Sequence, residues 1–113
     1  MLFFNLAIAF LKEFALALWL ASPMLLILTA VITAIGQVVG KKERWSAFDS
    51  FYWSFITATT VGYGDLRPTA KASKVSAIVI GLLGLILTGI LIAVAVYAAT
   101  LAFADNGFKG KAN

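Results

Sequence analysis

The chain has 113 residues, of which 62% are hydrophobic and 12% are charged, and its net charge is +4. Soluble domains average roughly 45–50% apolar and 25% charged residues, so this composition argues against a soluble domain and predicts a membrane protein. The chain has no cysteine or histidine and its nine basic residues form no long run, which excludes a disulfide framework, the usual zinc ligands and a nucleic-acid-binding face.

Two long segments without charged residues predict two membrane-spanning helices. The first runs from residue 14 to residue 40, and the second from residue 75 to residue 104. Each exceeds the about 20 residues that a helix needs to cross the hydrocarbon core. We therefore expect an outer helix over 14–40 and a second, inner helix that contains 75–104.

The N-terminal residues, 1–13, are apolar until Lys12 and Glu13. They are predicted either to lie in the inner membrane interface or to extend the outer helix. Pro23 is expected to kink that helix, because an interior proline removes one backbone hydrogen bond.

The segment between the two spans, 41–74, is polar at both ends and rich in aromatic residues at its centre. Ser46 can cap a helix, and Asp49 lies at the third helical position, which the helix dipole favours. These signals predict a short helix over 47–59, which cannot cross the membrane and must belong to a re-entrant loop. The return segment, 60–65, is expected to line an aqueous pathway, since irregular backbone survives at membrane depth only beside protein or water.

The last predicted element is the inner helix, 69–104, which starts directly after Pro68, and the tail, 105–113, is expected to be disordered. The predicted fold is an all-α membrane protein. It consists of one domain, 1–113, that contains an outer helix, a short helix with an extended segment, and an inner helix.

The segment from Thr59 to Asp65 reads Thr-Thr-Val-Gly-Tyr-Gly-Asp and resembles the selectivity filter of bacterial two-transmembrane potassium channels. The resemblance covers residues 27–104 and is most specific from Tyr52 onwards. It implies a fourfold-symmetric homotetramer that conducts K⁺ passively through stacked rings of backbone carbonyls. The residues implied to bind ions are Thr60, Val61, Gly62, Tyr63 and Gly64, with K⁺ held at Thr60, Val61, Gly62 and Tyr63.

Glycine has a physical role in such a filter. Successive carbonyls must point the same way, which requires positive φ angles that glycine adopts at little cost. We therefore expect positive φ at Gly62 and Gly64.

The same resemblance implies that four residues support the filter: Tyr52, Trp53, Thr57 and Asp65. Trp53 is expected to brace Tyr63 with help from the Thr57 hydroxyl, and Tyr52 is expected to donate a hydrogen bond to Asp65. Some family members carry a glutamate where this chain has Ile56, so the Tyr52 bond is expected to replace a carboxyl contact. Ordinary interfacial aromatic residues are the alternative interpretation of this cluster.

On the inner helix, Gly84 matches by resemblance the gating hinge of bacterial pores, whereas Gly81 and Gly89 can serve close packing. Arg67 is expected at the outer mouth, where blocker-sensitive members carry an aromatic ring. Four residues at helical spacing are expected to line the inner cavity: Leu85, Thr88, Ile92 and Val96.

Charge bias conflicts with the orientation that the resemblance implies. The loop between the spans carries six basic residues, which by the positive-inside rule places it in the cytoplasm. The family topology instead places both termini in the cytoplasm of a multi-pass cell-membrane protein, and we follow it. The six loop residues are Lys41, Lys42, Arg44, Arg67, Lys71 and Lys74.

Other functions fit the sequence less well. A small multidrug exporter with Glu13 as its membrane carboxylate would need four spans. An enzyme is not expected, because no nucleophile with a base, metal cluster or phosphate loop is present. The expected partners are three further copies of the chain and membrane lipid, and the chain is predicted to be a minimal channel or the pore of a larger one with a gating domain or partner elsewhere.

Overall fold

A computed structural model of the chain describes residues 1–105, which form three helices and no strand. They are α1 (Leu2–Glu43), α2 (Ala47–Ala58) and α3 (Lys71–Phe103). Both α1 and α3 are long and apolar enough to cross a membrane. Residues 1–105 thus contain two candidate spans, whereas a small multidrug exporter would need four. The all-α prediction is confirmed. Apart from Asp105, the predicted tail, 105–113, lies outside the described residues.

The first helix, α1, begins at Leu2, so of the two interpretations of residues 1–13 the structure has the helical extension. The helix also continues through Pro23. Proline lacks the amide that would bond the carbonyl four residues earlier. The Ser22 hydroxyl donates to that carbonyl, the Trp19 oxygen, at 2.7 Å, and thereby satisfies the group that Pro23 leaves open.

The third helix begins at Lys71, two residues later than the predicted start at residue 69. The reason is a long-range contact, because the amides of Thr69 and Ala70 donate to the carboxylate of Glu43. Ala70 accepts the first helical bond, from the Lys74 amide at 3.0 Å. These two residues therefore form the capped entry to α3.

The chain divides into two compact units. The first contains Met24–Thr88, with the second half of α1, all of α2 and the first half of α3. Its core is formed by Ile32, Val39, Trp53, Ala58 and Ile80, which are at most 3% exposed. All three helices thus contribute to one core, which fixes α2 between the two long helices.

Two glycines of α1 allow α2 to pack closely within this unit. A Cβ built on Gly36 would lie 2.6 Å from the Cβ of Ser54, and one built on Gly40 would lie 2.6 Å from the Cβ of Ser50. Both serines are at most 1% exposed. Small residues at a spacing of four on both helices let the two backbones approach.

The second unit combines residues 1–23 with the described residues from 89 to 105. Ala98 and Ala102 are at most 1% exposed there, and the rings of Phe10 and Phe14 stack at 5.5 Å. Alanines on α3 thus provide the tightly packed positions of this unit.

Candidate functional site

The short helix α2 is capped at both ends, as the sequence predicted for its start. Ser46 accepts a hydrogen bond from the Asp49 amide at 3.1 Å. The side-chain amide of Gln37, from α1, donates to the Ala47 carbonyl at 3.0 Å. At the other end, the amide of Thr59 donates to the Phe55 carbonyl at 2.9 Å. The helix that precedes the Thr-Val-Gly-Tyr-Gly segment is therefore held in a fixed position.

The sign of φ alternates along the backbone after α2. The φ angles of Thr60, Gly62 and Gly64 are +66°, +53° and +84°, whereas Val61 and Tyr63 lie outside the positive region. The two glycines therefore adopt the angles expected from the sequence. Alternation of this kind is the pattern expected if successive carbonyls point to one side of the segment.

A threonine in the left-handed region is costly, because the branched Cβ collides with the backbone. The cost is on the order of 1–3 kcal/mol and is tolerated only where neighbouring structure imposes it. Here the Thr60 amide donates to the Thr57 carbonyl at 3.3 Å, and the Gly62 amide donates to the Ile56 carbonyl at 3.0 Å. These two bonds tie the segment to the last turn of α2.

The side chains of the segment point away from the core of the unit. Val61 is 50% exposed and Tyr63 is 73% exposed. Trp53, the residue expected to brace Tyr63, is 3% exposed, and its ring packs on Trp45 at 5.3 Å. The contact between Trp53 and Tyr63, with the half-buried Thr57 beside it, stays a prediction for an assembly of several copies.

Tyr52 lies near Asp65. Partial burial of the phenol raises the pKa of Tyr52, and the neighbouring Asp65 carboxylate raises it further. A well-formed hydrogen bond between the two side chains stays a prediction. The pair relates the middle of α2 to the residue that directly follows Gly64, whereas the Gly62 amide bonds the near end of the segment to α2.

Glu43 holds the chain beyond the segment, three residues after the uncharged part of α1 ends at Gly40. Its carboxylate accepts hydrogen bonds from the amide and hydroxyl of Thr69, at 2.9 and 2.8 Å, and from the Ala70 amide at 3.2 Å. These bonds lower the pKa of Glu43 to about 2. The Ser73 hydroxyl adds a smaller effect, although its buried Oγ makes no well-formed hydrogen bond.

Sequence reasoning missed the Glu43 contact, because its partners lie 26 and 27 residues away and no local pattern links them. It also missed the packing of Gly36 and Gly40 on Ser50 and Ser54. In that case the sequence did carry a signal, because the two glycines of α1 are four residues apart and so are the two serines of α2.

The predicted hinge, Gly84, lies against the end of α2. A Cβ built there would lie 2.6 Å from the Cα of Ala58, whereas one built on Gly81 or Gly89 would meet nothing within 4 Å. Close packing within the chain is therefore the role of Gly84 and not of the other two. Its action as a hinge stays a prediction.

The inner-helix face predicted to line a cavity is open in the single chain. Leu85, Ile92 and Val96 are 58–60% exposed, and Thr88 is half-buried. Arg67 is exposed beyond Asp65. Among residues 1–105, no three histidine, cysteine or acidic side chains are grouped to hold a metal ion.

Comparison with known proteins gives the family. A family model described as "Ion channel" matches residues 7–100. The chain is 48% identical over 69 residues to TWiK family of potassium channels protein 7 of Caenorhabditis elegans, which is 58% of this chain and 12% of that protein. It is 48% identical over 40 residues to a voltage-gated potassium channel of Aeropyrum pernix, which is 35% of this chain and 14% of that protein.

A human relative, potassium channel subfamily K member 2, is 30% identical over 66 residues, which is 58% of this chain and 16% of that protein. The matches thus span only 12–16% of the length of these three relatives. No solved structure matches the chain. The family model covers most of the sequence, both long helices and the capped loop between them, and the chain therefore belongs to the ion channel family.

Proposed function

We propose that this membrane protein is one subunit of a potassium-selective channel that conducts K⁺ passively. The observation that carries the proposal is the alternating backbone at Thr60, Gly62 and Gly64, in a loop bonded to the last turn of α2. Carbonyls that share one side of such a segment offer neutral oxygens to a dehydrated cation. Side-chain carboxylates would bind the ion too tightly for rapid passage.

The functional unit is a homotetramer in this proposal. One chain contributes a single filter segment, which is a quarter of each carbonyl ring, so the site is incomplete in one copy. The exposed rings of Tyr63 and the exposed side chains of Val61 also need partners. Neighbouring copies would supply them, with the Trp53 brace formed across the interface.

The atoms proposed to bind K⁺ are the backbone oxygens of Thr60, Val61, Gly62 and Tyr63, with the Thr60 hydroxyl below them. Gly64 is the last residue of the proposed filter. The C-terminus of α2 supports a cation near its end, because its last turn carries no basic residue and the partial negative charge of the helix is uncompensated. The cavity there would be lined by Leu85, Thr88, Ile92 and Val96.

The proposed location is the cell membrane, with both termini in the cytoplasm and the loop outside. Two long apolar helices and the family support a membrane protein. The three relatives are all named as potassium channels, which supports the choice of ion.

Flux of K⁺ and Na⁺ into liposomes that contain the purified chain tests this function. We expect K⁺ flux well above Na⁺ flux, and loss of that selectivity in Gly62→Ala. Within one chain a Cβ on Gly62 meets nothing within 4 Å, so there the substitution acts through the positive φ, at about 1–2 kcal/mol per chain. Gly81→Ala, also with open space but without a positive φ, is the matched control. Equal fluxes of the two ions would refute potassium selectivity.

A further inference from the structure

A polar cavity of about 340 Å³ lies in the unit formed by residues 1–23 and 89–105. Its volume falls within the about 300–1,000 Å³ typical of small-molecule sites. The lining carries one ammonium group, two carboxylates and one amide, together with two apolar side chains. The lining residues are Asn5, Ile8, Ala9, Lys12, Glu13 and Asp105.

The charged groups of this cavity are not used within the described chain. Over residues 1–105, Lys12, Glu13 and Asp105 form no ion pair with one another or with other side chains. Groups of opposite sign thus line one cavity without contact between them. This arrangement of both signs in one cavity is complementary to a ligand that itself carries both signs.

The cavity lies where the hydrocarbon of a bilayer would end. Glu13 directly precedes the uncharged segment of α1, 14–40, and Asp105 directly follows the uncharged segment 75–104. Segments of this length cross the hydrocarbon core and place their first flanking charges among the lipid headgroups. A lipid headgroup is therefore the ligand that the cavity would meet at the highest local concentration.

We propose that the cavity binds the headgroup of phosphatidylethanolamine. The Lys12 ammonium pairs with the phosphate, and the carboxylates of Glu13 and Asp105 accept hydrogen bonds from the primary ammonium of the lipid. The side-chain amide of Asn5 adds a donor and an acceptor. Phosphatidylcholine has the same charges but no N–H donor, and phosphatidylglycerol has no ammonium, so both lipids fit less well.

Native mass spectrometry of the full chain, titrated in detergent with each of the three lipids, tests this assignment. We expect phosphatidylethanolamine to bind about tenfold more tightly than phosphatidylcholine, since the difference is a set of charge-assisted hydrogen bonds. Free phosphoethanolamine is the competitor that separates a lipid site from a site for a soluble ligand. Bound lipid should resist this competitor, because the acyl chains also contribute to binding.

Three variants test separately how the cavity recognises the ammonium and the phosphate of the headgroup. Glu13→Gln and Asp105→Asn should remove the preference for phosphatidylethanolamine and leave phosphatidylcholine binding unchanged. Lys12→Gln should weaken both lipids alike through the phosphate. Lys71→Gln, which removes an exposed charge of the other unit, is the matched control and should change neither.

Several results would overturn the proposal. One is equal binding of phosphatidylethanolamine and phosphatidylcholine to the unmodified chain. Another is displacement of the lipid by equimolar phosphoethanolamine, which would assign the cavity to a soluble ligand. If the three variants instead lower the oligomeric mass in the absence of lipid, the charges pair between copies of the chain. None of these readouts depends on ion conduction, so the site and the channel function fail independently.

Discussion

A methyl group built on Gly84 would lie 2.6 Å from the Cα of Ala58, so the inner helix and the last residue of α2 are in backbone-to-backbone contact. This contact lies two residues before Thr60. Any movement of α3 at Gly84 is thus opposed directly by α2, the helix that precedes residues 60–65.

Gly84→Ala should destabilise the protein, because the new methyl meets backbone atoms that cannot rotate away. Overpacking of this kind costs about 1–3 kcal/mol. The measurement is the thermal unfolding midpoint of the purified protein. Gly81→Ala, with nothing within 4 Å of the added methyl, should be neutral or slightly stabilising. Equal midpoints for the two variants would show that the Gly84 contact is not close.

Gly40→Ala should likewise loosen α2 from α1, because its methyl would overlap the side chain of Ser50. The exchange Gly40→Ala with Ser50→Gly removes that overlap and should recover part of the lost stability. Thermal unfolding of the two single variants and the double variant gives the coupling energy between the positions. Strictly additive effects would place these two residues apart.

The clamp by Glu43 predicts a pH dependence. Its pKa is lowered from the ordinary 4.5 to about 2, so folding favours the charged carboxylate. The resulting stability is complete above about pH 4.5 and is lost as the pH falls from there towards 2. Glu43→Gln should lower stability at neutral pH and reduce the loss of stability between about pH 4.5 and 2. If Glu43→Gln loses as much stability over this range as the unmodified protein, other carboxyl groups cause the loss.

Tyr52→Phe should weaken the proposed filter without preventing assembly, because it deletes the predicted hydrogen bond to Asp65 while it keeps the ring. We expect channel activity to decline a few-fold faster at low external K⁺, measured as the decay of current after the ion is withdrawn. At pH 7 the phenol is neutral, since its raised pKa keeps it protonated. Asp65→Asn should give a similar decay. If the current of both variants decays as in the unmodified channel, the Tyr52–Asp65 pair does not stabilise the conducting state.

Arg67→Tyr should create block by external tetraethylammonium. Arg67 is exposed two residues after Asp65. Four aromatic faces at that position can bind a quaternary ammonium at about 0.5–2 kcal/mol each, whereas four guanidinium groups cannot. The assay is a dose-response curve on each side of the membrane. Submillimolar block of the unmodified channel would place Arg67 elsewhere.

Short-range signals gave the reliable sequence predictions. The Ser46 cap depends on a neighbour three residues away, and the positive φ of Gly62 and Gly64 follows from glycine itself. Contacts between distant residues were not predictable, because nothing in the sequence near Glu43 indicates Thr69. The left-handed Thr60 was equally hidden, since threonine normally avoids that conformation and only its bonded neighbours impose it.

Single-channel recording in a planar bilayer, with equal concentrations of KCl on one side and NaCl on the other, measures whether the pore selects K⁺ over Na⁺. If carbonyls of residues 60–63 from four chains form the conduction path, the current should reverse far from zero, at a potential that opposes the flow of K⁺ from the KCl side. Gly62→Ala should then either abolish the current or make it non-selective between K⁺ and Na⁺. A reversal potential near zero for the unmodified chain would contradict the account, because such a pore would not distinguish K⁺ from Na⁺.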